Sequence, residues 1–245
     1  MSTESGDTFV PANRAAQWTK GLLIATLVAS AVGIVSDLLQ VALVFRAATG
    51  GISHLEATAS DTRQQIIAIF QLILYIGTAV AFLRWFYRVH KNLPALGVEY
   101  LHYTPGWAVG GFFVPFLNLI RPLQVMREVW HGSDPSGLEP NTGSDEPSIR
   151  SQPATPALAV WWWALFLISN FLGYLIFRMG LSEKQTLHDL QTLCVLIVFS
   201  DLLRVPAAVV TVLLVGRITG WQAQRAESLR RIRSQRPGAS VPGPG

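Results

Sequence analysis

TLCVLIVFSDLLRVPAAVVTVLLVG, residues 192–216, decides the fold. The run exceeds the roughly 20 residues that a helix needs to cross the hydrocarbon core of a bilayer, and a soluble core helix is seldom so long and apolar. Yet Asp201, Arg204 and Pro206 stand in its middle. Unpaired charges in lipid are costly, so Asp201 and Arg204 should face protein. At i,i+3 they share one helix face and neutralise each other. Ala208 and Thr211 continue that face. Pro206 removes a backbone hydrogen bond and permits a kink.

Three other runs have the same character: GLLIATLVASAVGIVSDLLQVALVF (21–45), IIAIFQLILYIGTAVAFLRWF (66–86) and LAVWWWALFLISNFLGYLIFRM (158–179). The whole composition agrees, with 50% hydrophobic residues, only 14% charged and a mean hydropathy of +0.36. A soluble domain is about one quarter charged. Ala29-Ser30-Ala31 mimics a signal-peptidase site behind Arg14 and Lys20, but the apolar run continues to Phe45 and reads as an uncleaved helix. A single cysteine, Cys194, excludes an intrachain disulfide.

TPGWAVGGFFVPFLNLIRP (104–122) is apolar but short, broken by Pro115 and closed by Asn118 and Arg121. RPLQVMREVWHGS carries Leu123, Met126 and Trp130 at helical spacing, so residues 104–130 read as a re-entrant or interfacial element. Residues 133–157, rich in Ser, Pro, Gly and Asp, read as a flexible loop. The expected organisation is a disordered segment 1–17, a membrane domain 18–233 and a disordered tail 234–245. Near its end, Ile218, Trp221, Leu229 and Ile232 among arginines predict a basic amphipathic helix lying on the membrane surface.

The positive charges fix the threading. With four spans, Arg14, Lys20, Arg84, Arg88, Lys91, Arg121, Arg127, Arg217, Arg225, Arg230, Arg231, Arg233 and Arg236 share one side. Arg46, Arg63, Arg178 and Lys184 fall on the other, among Glu56, Asp61, Glu183 and Asp189. The positive-inside rule makes the rich side cytoplasmic, with both termini there, and argues against a fifth crossing by residues 104–122. Phe45-Arg46 and Phe177-Arg178 echo each other, as do SDLLQV (36–41) and SDLLRV (200–205). The two echoes align different spans and define no repeat.

WFYRVHKNLPALG, followed by the segment around Pro115 and then Trp161, Trp162 and Trp163, resembles a bacterial membrane family catalogued as domain of unknown function 4328. The resemblance rests on Trp85, Arg88, Asn92, Pro105-Gly106-Trp107, Pro115, Asn118, Arg121-Pro122, Glu128, Trp130 and Ser133, and covers roughly residues 18–230. Phe112-Phe113 departs from it where a Trp would precede Val-Pro. The resemblance implies an integral protein of a bacterial plasma membrane and carries over no catalytic residues.

Elementary chemistry narrows the function. GWAVGG lacks the Lys-Ser/Thr of a phosphate loop, no G-x-S-x-G occurs, and the five histidines have neither i,i+4 spacing nor a cysteine partner. No cofactor is implied. The net charge of +4, set beside apolar runs, points to anionic lipid headgroups rather than nucleic acid. Two polar groupings stand out. Ala25, Ala29, Gly33 and Asp37 recur every four residues, a small-residue face on which another helix can close. Counting from the span ends predicts that Asp37, Gln71, Asn170 and Asp201 form one layer at a common depth, with Arg204 offsetting the acids. At the cytoplasmic face, Arg84, Arg88, Asn92, Trp107, Pro115, Asn118, Arg121 and Glu128 are expected to gather, capping the broken segment or meeting an anionic ligand. The sequence therefore predicts an all-α membrane bundle, non-enzymatic, acting as a scaffold or accessory component beside a membrane-protein partner or a second copy. The competing reading is a small-solute or proton-coupled transporter using the Asp/Arg layer. A lipid-acting enzyme ranks last, since no nucleophile–base pair is present.

Overall fold

The computed structural model describes residues 8–138, 155–181 and 186–235, and their regular structure is entirely helical. Four helices are long and apolar enough to cross a membrane: α1 (Asn13–Thr49), α2 (His54–Lys91), α5 (Ala157–Gly180) and α6 (Leu187–Gln235). Ser53 starts α2 with a capping box, its hydroxyl accepting from the Glu56 amide while the Glu56 carboxylate accepts from Ser53 N–H. Thr186 and Asp189 make the same reciprocal pair at the head of α6.

Between α2 and α5 the described residues hold no helix long and apolar enough to cross a membrane. α3 (Pro105–Gly110) is a six-residue helix, rising about 9 Å, and is followed by turns and by α4 (Arg121–Ser133). The break falls at Phe116, whose φ of 64° and ψ of −41° allow Leu117 N–H to donate to the Pro115 carbonyl at 2.8 Å, a γ-turn. Pro115 has no N–H to continue a helix, as its position in the sequence predicts.

α1 packs between α2 and α6, and α5 lies against α6. One end of the bundle, here the basic end, gathers the N-terminal segment, the end of α2, α3, α4 and the last turns of α6. Its core is aromatic. Phe82 and Phe86 of α2 meet Phe112, Phe82 meets Trp162 of α5, and Phe112 meets Trp163 and Phe166 of α5, all at centroid separations of 5.7–6.3 Å, with Trp85 stacked on Phe86 beside them. Leu214, Val215 and Ile218 of α6 close that core.

Two boundaries differ from expectation. Residues 8–17 are ordered: helix begins at Asn13, Ala12 and Ala16 are buried, and Val10 exchanges two hydrogen bonds with the Asn92 side chain. The basic stretch after residue 216 is no separate surface helix. It continues α6, because Gln222 and Arg225 are buried along the line of Leu214 and Ile218, Gln222 bonding α2 and α4 and Arg225 the turn at Leu96. Pro206 lies inside this helix without ending it. Residues 1–7, most of the loop expected over 133–157, and the tail from 236 lie outside the described residues.

Candidate functional site

The small face of α1 brings the first polar grouping together. A Cβ on Gly33 would collide with Gln71 Nε2 and come within 2.8 Å of Asp201 Oδ2, so a larger residue here would push both polar side chains out of their present contacts. Asp201 is 2% exposed and pairs with Arg204 on its own helix. The same guanidinium nitrogen, Nη1, donates to Gln71 Oε1 at 3.4 Å, and Gln71 Nε2 donates to the Ala29 carbonyl at 3.3 Å. One step higher, Gln64 donates to Asp37 Oδ1 at 3.1 Å, and Arg63 Nε donates to Ser36 Oγ at 2.9 Å. Higher still, Ser60 bonds Gln40.

These contacts join Asp37, Gln71, Asp201 and Arg204, but correct the expected layer in two respects. It is a staircase rather than a plane. Asp37 pairs with Gln64, seven residues and about 10 Å above Gln71, because small residues set the α1–α2 register rather than the ends of the apolar runs. Asn170 takes no part. It is exposed on α5, with its amide turned back to donate to Phe166 O at 2.8 Å, because α5 touches α6 and does not pack on α1. Asp201 Oδ2 is buried with no partner among the described residues. At the top of the staircase, a shallow pocket of about 260 Å³ is lined by Leu39, Leu43, Arg46, Glu56, Ser60 and Arg63.

The second grouping forms at the basic end, but only in part. Glu128 is a hub: one oxygen lies 3.0 Å from His90 Nε2, and the other accepts from the His102 amide at 2.6 Å. A carboxylate only accepts, so His90 carries its proton on Nε2. Burial pushes the Glu128 carboxyl up, but the bonds from His90 and His102 outweigh it and hold it below the usual range. Asn92 ties Val10 O at 2.9 Å to Gln222 Oε1 at 3.1 Å, and the Arg121 guanidinium sits 4.9 Å over the Tyr103 ring. Arg84 is exposed, Arg88 and Asn118 are half-buried, and none of the three makes a side-chain hydrogen bond or ion pair among the described residues. Trp107 and Pro115 are exposed.

Residues outside the two predicted polar groupings do most of the joining. Gln222 donates to Val89 O at 2.8 Å and Ser133 Oγ at 3.0 Å, and Arg225 Nε donates to Leu96 O at 2.8 Å. Trp85 Nε1 donates to Thr219 at 3.0 Å, and Trp163 Nε1 to Leu119 O at 2.8 Å, which anchors the broken segment to α5. The spacing 214, 218, 222, 225 was the available signal, a continuous helical face running from apolar into polar residues.

Four helices among the described residues that are long and apolar enough to cross a membrane, packed together with a broken segment at one end, define a multi-pass α-helical membrane protein. The family model described as domain of unknown function (DUF4328) matches residues 48–220, and the chain belongs to that family. No curated protein and no solved structure matches it.

Proposed function

We propose that the protein is a non-enzymatic scaffold or accessory component of a bacterial plasma membrane, with both termini in the cytoplasm. The observation that carries this reading is the tight closure of α1, α2 and α6 around Gly33, where Asp201 and Asp37 are both buried. A conduction path would need a hydrated gap there. The basic end, with Arg14, Lys20, Arg84, Arg88 and Lys91 beside the aromatic core, suits the anionic headgroups of the inner leaflet and the face of a membrane-protein partner or second copy.

The transporter reading keeps one observation in its favour: the Arg204 side chain is 42% exposed although it belongs to the buried face. Cysteine accessibility separates the two. In a Cys194→Ser background, Ser30→Cys and Ser200→Cys replace buried side chains with near-isosteres. Neither should react with a charged methanethiosulfonate from either side, and proteoliposomes should take up protons no faster than empty vesicles. Reaction at both positions, with proton flux abolished by Asp201→Asn, would replace the scaffold with a transporter.

A further inference from the structure

The four apolar runs, 21–45, 66–86, 158–179 and 192–216, keep almost all their polar side chains off the outer surface of the bundle. Asp37, Gln71, Asp201 and the serines and threonines are buried or half-buried. Arg84 and Arg178 are exposed near run ends, where long side chains reach the interface. Aromatic residues aside, the one other exposed polar side chain in these runs is Asn170. It stands near the middle of the 24-residue α5, within about 3 Å of the helix midpoint, so its amide faces the centre of the hydrocarbon.

That amide is only half satisfied. One Nδ2 hydrogen goes to the Phe166 carbonyl at 2.8 Å, whereas Oδ1 and the second Nδ2 hydrogen have no partner among the described residues. Lipid tails offer none, and polar groups at this depth are costly to leave unpaired. Gly173, Tyr174 and Phe177 lie one and two turns further along the same face and are exposed as well, since α5 packs on α6 and α4 and leaves this side uncovered. A donor and an acceptor side by side are self-complementary. Two copies of the chain inserted alike bring Asn170 to one depth, so a two-fold axis along the membrane normal sets amide against amide, each Oδ1 accepting from the other's Nδ2. Glycine at 173 lets the two backbones approach for it. The exposed Tyr75 of α2 would meet the amide only head to tail, a contact that closes no pair.

We propose that the chain forms a parallel two-fold dimer with a second copy of itself through α5, held by reciprocal Asn170 hydrogen bonds with Gly173 at the closest approach. The interface runs from the middle of α5 away from the basic end. It goes beyond the scaffold reading and does not depend on it, because a transporter would pair by the same face.

Cysteine cross-linking and single-molecule photobleaching of the full chain test the assignment. In native membranes and a Cys194→Ser background, Gly173→Cys should be joined to its own copy by a short bifunctional methanethiosulfonate. Val32→Cys on α1 and Leu72→Cys on α2, also exposed within their runs, should not. In liposomes, the dye-labelled wild type should bleach in two steps until dilution in lipid separates the copies. Asn170→Leu should weaken the pair about ten-fold, the loss of two interhelical hydrogen bonds, and Asn170→Gln should fall between. Position 170 is exposed, so leucine there should fold, and the cross-linking arm retains Asn170 and is independent of that variant. A wild type that is monomeric at every dilution, with lipid on this face, would overturn the proposal. So would Asn170→Leu pairing as tightly as the wild type, or Gly173→Cys joined to a different protein instead of its own copy.

Discussion

Arg204 and Asp201 show how a charge pair is kept inside an apolar bundle. Asp201 has no solvent and little room, so its ionised form depends on the guanidinium one turn away. Removing Arg204 leaves a buried acid uncompensated, which typically costs about 3–5 kcal/mol, whereas removing both partners leaves only a polar gap. Arg204→Ala should therefore reduce the monodisperse, detergent-soluble yield more than the Arg204→Ala/Asp201→Ala double variant does, as read by size-exclusion chromatography of matched preparations. Equal yields would mean that the pair is not buried as described. This pair was legible in the sequence, because i,i+3 spacing fixes a shared face whatever the tertiary structure. Asn170 was not. Depth along a helix can be counted from a sequence, but its rotation toward a neighbour depends on which helices touch, and α5 touches α6 rather than α1.

The broken segment between α2 and α4 illustrates the same division at the level of elements. Its lack of a helix long enough to cross follows from Pro115 and a six-residue helix, both visible in the sequence or implied by it. Its attachment is not visible there, since Trp163 reaches Leu119 and Phe112 packs on Phe82 across long stretches of chain. At its tip Phe116 combines a positive φ with 85% exposure, a conformation that L-residues avoid and glycine adopts freely. Phe116→Gly should raise the thermal stability of the detergent-solubilised protein by about 1 kcal/mol, seen as a higher midpoint in a thermal unfolding scan. An unchanged or lowered midpoint would place the strain elsewhere or show that the ring has packing partners. The long α6 carries the complementary lesson. A span and a basic tail look like two elements when read by composition, yet Gln222 and Arg225 continue the buried line of Leu214 and Ile218.

For the whole molecule, the apolar runs and the asymmetry of arginines and lysines were enough to predict four spans with the termini on one side. The geometry agrees in that Val10, Asn92, Ser133, Gln222 and Arg225 all meet at one end. Relative levels were harder to read, because α1 and α6 have longer apolar runs than α2 and α5, and only the contacts of Gly33 and Asp37 show how they are staggered. The threading is the claim on which the rest depends, and cysteine accessibility in intact cells tests it most directly. In a Cys194→Ser background, single cysteines replace Gly50 and Leu181 at one end, and Thr104, Gln124 and Ser234 at the other, all five exposed. A membrane-impermeant thiol reagent should label positions 50 and 181 from outside and reach 104, 124 and 234 only after the membrane is opened. Labelling of 124 or 234 in sealed cells, or of 104 and 124 from opposite sides, would contradict four passes with a segment held at the basic end.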